Sequence, residues 1–108
     1  MPSVHDSDAF STRVSYAKRC ILSGNTNTRA FDTCFEMYDG SFVMCRLWQE
    51  ADNDPVLAEK LKDYGNDESR RLYEKIKSHT PRQIAALAKA CRETALAEFR
   101  KKYPLHTA

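Results

Sequence analysis

Apolar residues recur at helical spacing along almost the whole chain. Phe10, Val14, Ala17 and Ile21 stand four, three and four residues apart, which places them on one helix face. Asp6, Ser7 or Asp8 can cap the start of that helix by accepting backbone N–H bonds. The turn-forming run Ser23-Gly24-Asn25-Thr26-Asn27 ends it. Thr28 then caps a second helix, on which Phe31, Phe35, Tyr38, Phe42 and Cys45 repeat at four, three, four and three. Such a heptad-like, aromatic stripe is expected to lie against another helix. Gly40 interrupts it at about 1 kcal/mol relative to alanine. Leu47 and Trp48 extend the apolar surface, with Trp48 off the main stripe. The alternative for residues 41–48 is a strand, but no other segment alternates with period two to pair with it.

Further along, Asp52-Asn53-Asp54-Pro55 joins a capping acid to a proline at the first helical position, where the missing N–H costs nothing. Val56, Leu57, Leu61 and Tyr64 follow, and Gly65-Asn66 ends that helix. Asp67 can cap a fourth carrying Leu72, Tyr73 and Ile76. These two are short enough to be one helix bent at Gly65. Thr80-Pro81-Arg82-Gln83 is a capping box, with Thr at the cap and Gln three residues on. It opens a long alanine-rich helix with Ile84, Leu87, Ala88, Cys91, Ala95 and Phe99 on one side. Arg100, Lys101 and Lys102 fall in its last turns, where cations meet the negative end of the helix dipole. Tyr103-Pro104 closes it.

The expected architecture is therefore all-α: one domain over residues 1–108, four or five helices, flexible ends at 1–7 and 104–108. Phe31, Phe35, Tyr38, Phe42 and Trp48 supply packing against a core or a partner, and the second helix is expected to face the last.

Composition narrows the class. The chain has 108 residues, 42% hydrophobic and 30% charged, with three glycines and four prolines. That excludes collagen-like and wholly disordered chains. No apolar run is long enough for a transmembrane segment, although a peripheral membrane contact stays open. The first eight residues lack a basic region and an apolar stretch, so no secretory signal is expected.

Charge is uneven although the formal net is only +2. Residues 31–54 carry six acids (Asp32, Glu36, Asp39, Glu50, Asp52, Asp54) against Arg46 alone. Residues 80–108 carry Arg82, Lys89, Arg92, Arg100, Lys101 and Lys102 against two acids. The two regions can attract each other in the fold or serve different partners. The basic last helix, with a second patch at Arg13, Lys18 and Arg19, suits phosphate contacts. The modest net charge falls short of a dedicated nucleic-acid binder. Acid pairs such as Glu36 and Asp39 read as a solvated face.

Cys34 and Cys45 are eleven residues apart and share a face of the second helix. Cys20 and Cys34 flank the turn at 23–27, so antiparallel helices would bring them near disulfide reach, and Cys45 could meet Cys91. The competing possibility is four reduced, buried thiols acting as small hydrophobes. The cysteines lack the close spacing of a structural zinc site. His5, His79 and His106 are isolated in sequence and expected to be solvated. Gly24, Gly40 and Gly65 form no phosphate loop, and no arrangement points to catalysis or to a bound cofactor.

Asn27-Thr28-Arg29, Cys34-Phe35, Tyr38, Phe42 and Cys45 together resemble the first cysteine-bearing helix of the CHCH proteins of the mitochondrial intermembrane space, the 6B subunits of cytochrome c oxidase among them. Cys91 and Tyr103-Pro104 resemble the second, with Tyr103 where a cysteine would stand. The resemblance implies a disulfide-stapled helical hairpin and a non-catalytic accessory subunit of a respiratory-chain or ATP synthase complex. The function expected is thus a structural subunit or adaptor among other protein subunits, mitochondrial or otherwise cytoplasmic. A small ribosomal-type RNA-associated protein using the basic last helix is the alternative, and a thiol-based redox or metal carrier a third.

Overall fold

A computed structural model describes the backbone of residues 2–36 and 38–103, and the side chains of these from Ala9 onward. Among them six α-helices follow in chain order: α1 (Pro2–Ser23), α2 (Arg29–Glu36), α3 (Gly40–Ala51), α4 (Pro55–Lys60), α5 (Asp67–Ile76) and α6 (Pro81–Lys102). A 3-10 turn, Leu61–Asp63, continues α4. The described residues contain no strand, so residues 41–48 are helical.

The centre of the fold is α3, which packs against α1, α2, α4, α5 and α6. Its Val43, Met44, Cys45 and Leu47 are all buried. Four such residues in five positions point to more than one side of the helix, as a helix surrounded by others requires. The α1 stripe meets them as expected: Phe10, Val14, Ala17 and Ile21 are all in the core. Leu57, Leu61, Ile76, Ile84 and Ala88 close it from the other elements.

Local signals hold at most helix starts. The Thr28 hydroxyl accepts from the Phe31 N–H at 3.1 Å. Asp54 accepts from the Leu57 N–H at 3.1 Å ahead of Pro55. In the Thr80 capping box, the Gln83 N–H donates to the Thr80 hydroxyl at 3.1 Å, and the Thr80 N–H donates to Gln83 Oε1 at 2.8 Å. Gly24 adopts φ +78° in the turn after α1, the conformation that favours glycine at a helix end.

Four expectations are corrected. The first helix starts at Pro2, so Asp6–Asp8 lie inside α1 rather than capping it, and residues 2–7 are helical. Met1 and residues 104–108 lie outside the described residues. The cap of α5 is Asn66, which accepts from the Ser69 N–H at 2.9 Å, and Asp67 is the first helical residue. The 3-10 turn and Gly65 at φ +94° separate α4 from α5, so they are not one bent helix.

The fourth correction matters most. The long second helix divides between Glu36 and Gly40. Gly40 is buried against the carbonyl of Phe35, and a Cβ there would collide with the Phe35 backbone. Glycine permits the last turn of α2 and the first turn of α3 to meet this closely. Dividing the helix breaks the aromatic stripe. Phe31 is buried and Phe35 and Phe42 are half-buried, but Tyr38 is 54% exposed and is not a core residue.

Candidate functional site

The interhelical break turns Asp39 inward. It stands at the N-terminal boundary of α3, yet its carboxylate makes no capping bond. Instead it accepts from Arg13 Nη1 and Nη2 at 2.9 and 2.7 Å, and from Arg92 Nη1 at 3.1 Å. Asp39 is fully buried, and the two guanidinium side chains are only 16% and 13% exposed. One carboxylate thus ties α1, the start of α3 and α6 together. Bidentate Arg–carboxylate geometry is the strong form of such a bond. The expected solvated acid is a buried ionic hub, and Arg92 leaves the basic surface to which the sequence assigned it.

A second network lies on the other side of α1. Glu50 accepts from Lys18 at 3.0 Å and from Arg46 at 2.8 Å. These bonds, that from Arg46 first, hold the Glu50 carboxyl below its ordinary range. The network forms the wall of a groove of about 550 Å³ between α1, α3 and the N-terminal end of α6. Phe10, Val14, Leu22 and Ala85 give the groove apolar surface, while Lys18, Arg19, Arg46 and Arg82 line it with positive charge.

Among the described residues the far half of α6 is largely uncovered. Ile84 and Ala88 are its buried residues; Cys91 and Arg92 reach Tyr38 and Asp39. Beyond them Leu96, Phe99 and Tyr103 are 39%, 50% and 54% exposed. Phe99 and Tyr103 pack on each other with ring centroids 5.1 Å apart. At 100° per residue, Ala88, Arg92, Ala95, Leu96, Phe99 and Tyr103 form one continuous face. The face that docks on the core therefore runs on without a covering element among the described residues. Arg100, Lys101 and Lys102 are exposed beside it, as are Arg82 at the other end and, half-covered, Lys89.

The remaining aromatic residues serve the interior. Phe31 meets Phe35 edge to face at 5.2 Å and Tyr64 at 6.0 Å. Trp48 lies under α5, against Tyr73 at 5.3 Å and beneath the Arg70 guanidinium at 5.1 Å.

All four thiols are free. Cys20 acts electrostatically on Cys34 across the α1–α2 contact. Burial, and then this neighbour, push the Cys34 thiol up, while Arg13 pulls the other way. Burial pushes Cys45 up to about 12. The Cys45 thiol faces the Ser69 carbonyl on α5, whereas Cys91 donates to the Tyr38 carbonyl at 3.6 Å. The staples left open between Cys20 and Cys34 and between Cys45 and Cys91 are absent, and the alternative of four reduced thiols is the one observed. At Cys34 and Cys45 the raised pKa values favour the protonated form, the opposite of what an attacking thiolate or a metal ligand needs. His79 is half-buried rather than solvated, its carbonyl taking the Gln49 side-chain N–H at 2.6 Å. The described residues hold no group of three His, Cys, Asp or Glu placed to bind a metal, and no helix among them is long and apolar enough to cross a membrane.

No family model, curated protein or solved structure matches this chain.

Sequence reasoning missed Asp39 as the hub and Lys18–Glu50–Arg46 as a unit. A signal for the first was present. Asp39 is four residues after Phe35 and three before Phe42, so an acid stands on an apolar face, where an ionised group requires partners.

Proposed function

We propose that this chain is a non-catalytic adaptor or accessory subunit that docks onto a partner protein through the projecting half of α6. The observation that carries this is the apolar face of Ala95, Leu96, Phe99 and Tyr103, continuous with the core-docking face of the same helix and uncovered among the described residues. From Arg92 to Lys102 the helix extends about 15 Å. Leu and Phe at i and i+3, with Tyr four further on, are the anchors of a helix that lies in a partner's groove. The burial of Arg92 removes one cation from the basic face on which an RNA-binding function would draw. The mitochondrial setting rests on the resemblance of residues 27–45 alone.

The test is affinity isolation from native lysate with the wild-type chain and with Leu96→Asp and Phe99→Asp variants. Both positions are exposed, so the variants keep the wild-type circular dichroism and Tm. The proposal expects proteins recovered stoichiometrically with the wild type and lost with either variant. Recovery unchanged by both substitutions overturns it. So does recovery of RNA that depends on Arg100, Lys101 and Lys102 but not on Phe99.

A further inference from the structure

The groove between α1, α3 and the start of α6 is separate from the projecting end of α6, and its chemistry is different. Its charge does not balance. Among the described residues Glu50 is the one carboxylate lining it, and Lys18 and Arg46 already share that group. Arg19 and Arg82 stand at the rim, both exposed. Arg19 rests over the Tyr16 ring at 5.7 Å, which limits its freedom. Among the described residues, four cations against one carboxylate leave an excess of three positive charges around an apolar surface in which half-buried Leu22 and Ala85 flank the buried Phe10 and Val14.

We propose that this groove binds an acidic peptide segment of a partner protein, one that carries an apolar side chain among its carboxylates. Glu50 shows how such a carboxylate sits, with Oε1 on Lys18 at 3.0 Å and Oε2 on Arg46 at 2.8 Å. An incoming carboxylate meets Arg19 and Arg82 in the same way, and an aliphatic side chain covers Leu22 and Ala85. From Phe10 to Leu22 the α1 wall runs about 18 Å, which suits an extended segment of about five or six residues. The concave shape excludes a flat lipid surface. A nucleic-acid backbone offers the charge but no aliphatic group for the apolar surface.

Fluorescence anisotropy with a labelled hexapeptide of four glutamates and two leucines tests this on the full chain. Binding is expected to weaken at least tenfold in Arg19→Glu or Arg82→Glu, both rim positions where the fold is unaffected. Replacing the two leucines by serines is expected to weaken it to a similar degree. Phe99→Asp leaves it unchanged, which keeps this site distinct from the end of α6. The proposal fails if the rim variants bind the peptide as tightly as wild type, or if the serine peptide binds equally well. It also fails if single-stranded RNA or vesicles containing phosphatidylserine bind more tightly and are lost in the same variants.

Discussion

Arg13 and Asp39 lie 26 positions apart in sequence, and a bidentate pair at 2.9 and 2.7 Å joins them inside the protein. Arg92 completes the cluster from α6. Three helices meet at a single carboxylate with no exposed surface, so the group fixes where α1 and α6 sit on α3. Its partners are worth most through what their loss leaves behind: a charge in a place water does not reach.

Asp39→Asn should therefore destabilise the fold by about 3–5 kcal/mol in urea unfolding, since it removes the charge that the buried Arg13 guanidinium holds bidentately and that Arg92 shares. Replacing all three residues together, Arg13→Met, Asp39→Leu and Arg92→Met, should cost far less than the single change. A triple variant no more stable than Asp39→Asn would show that the cluster acts through more than charge balance.

Gly40 and Gly24 should respond differently to alanine. At Gly40 the new methyl meets the Phe35 backbone, which cannot rotate away. Gly40→Ala is expected to cost about 2–3 kcal/mol. Nothing surrounds Gly24, and only its φ of +78° opposes a side chain, at about 1 kcal/mol. Equal losses of Tm in the two variants would contradict the close approach of α2 to α3.

The thiols should differ in reactivity. Cys91 is partly exposed, whereas Cys45 is fully buried with its pKa pushed up to about 12. Timed alkylation at pH 8 should label Cys91 first and Cys45 last, read by peptide mass, with four thiols labelled in denaturant. Equal rates in the folded state would refute the placement of Cys45 under α5.

Acid sensitivity should include a part from Glu50. Its carboxyl lies below the ordinary 4.5 because Arg46 and Lys18 stabilise the charged form. The stabilisation is complete above pH 4.5. It is lost as pH falls through the lower folded value, because the unfolded chain takes up the proton first. Glu50→Gln should flatten the stability profile in that window, with little change in its slope above pH 6. The effect is modest because the group is about one-third exposed.

The single tryptophan reports on the α3–α5 contact. Trp48 packs against Tyr73 and beside Gly65, where a Cβ would come within 2.5 Å of the indole. Tyr73→Ala should shift Trp48 emission to the red by admitting water to the ring. An unchanged spectrum would mean that the ring is not held beneath α5.

By itself the sequence determined the helical class, the face of α1, the caps at Thr28, Asp54 and Thr80, and the turn at Gly24. Each of these depends on residues within a turn or two of one another, so spacing alone reports them. Tertiary structure decided what spacing cannot encode. The stripe through Phe31, Phe35, Tyr38 and Phe42 looked continuous because periodicity does not register a backbone break, and Gly40 allowed one where α2 meets α3. Asp39 looked solvated because its partners, Arg13 and Arg92, come from distant helices. Spacing assigned the last helix one apolar side, which is the same string of residues whether or not another element covers it. Only the positions of the other helices show that, among the described residues, its cover stops near Arg92.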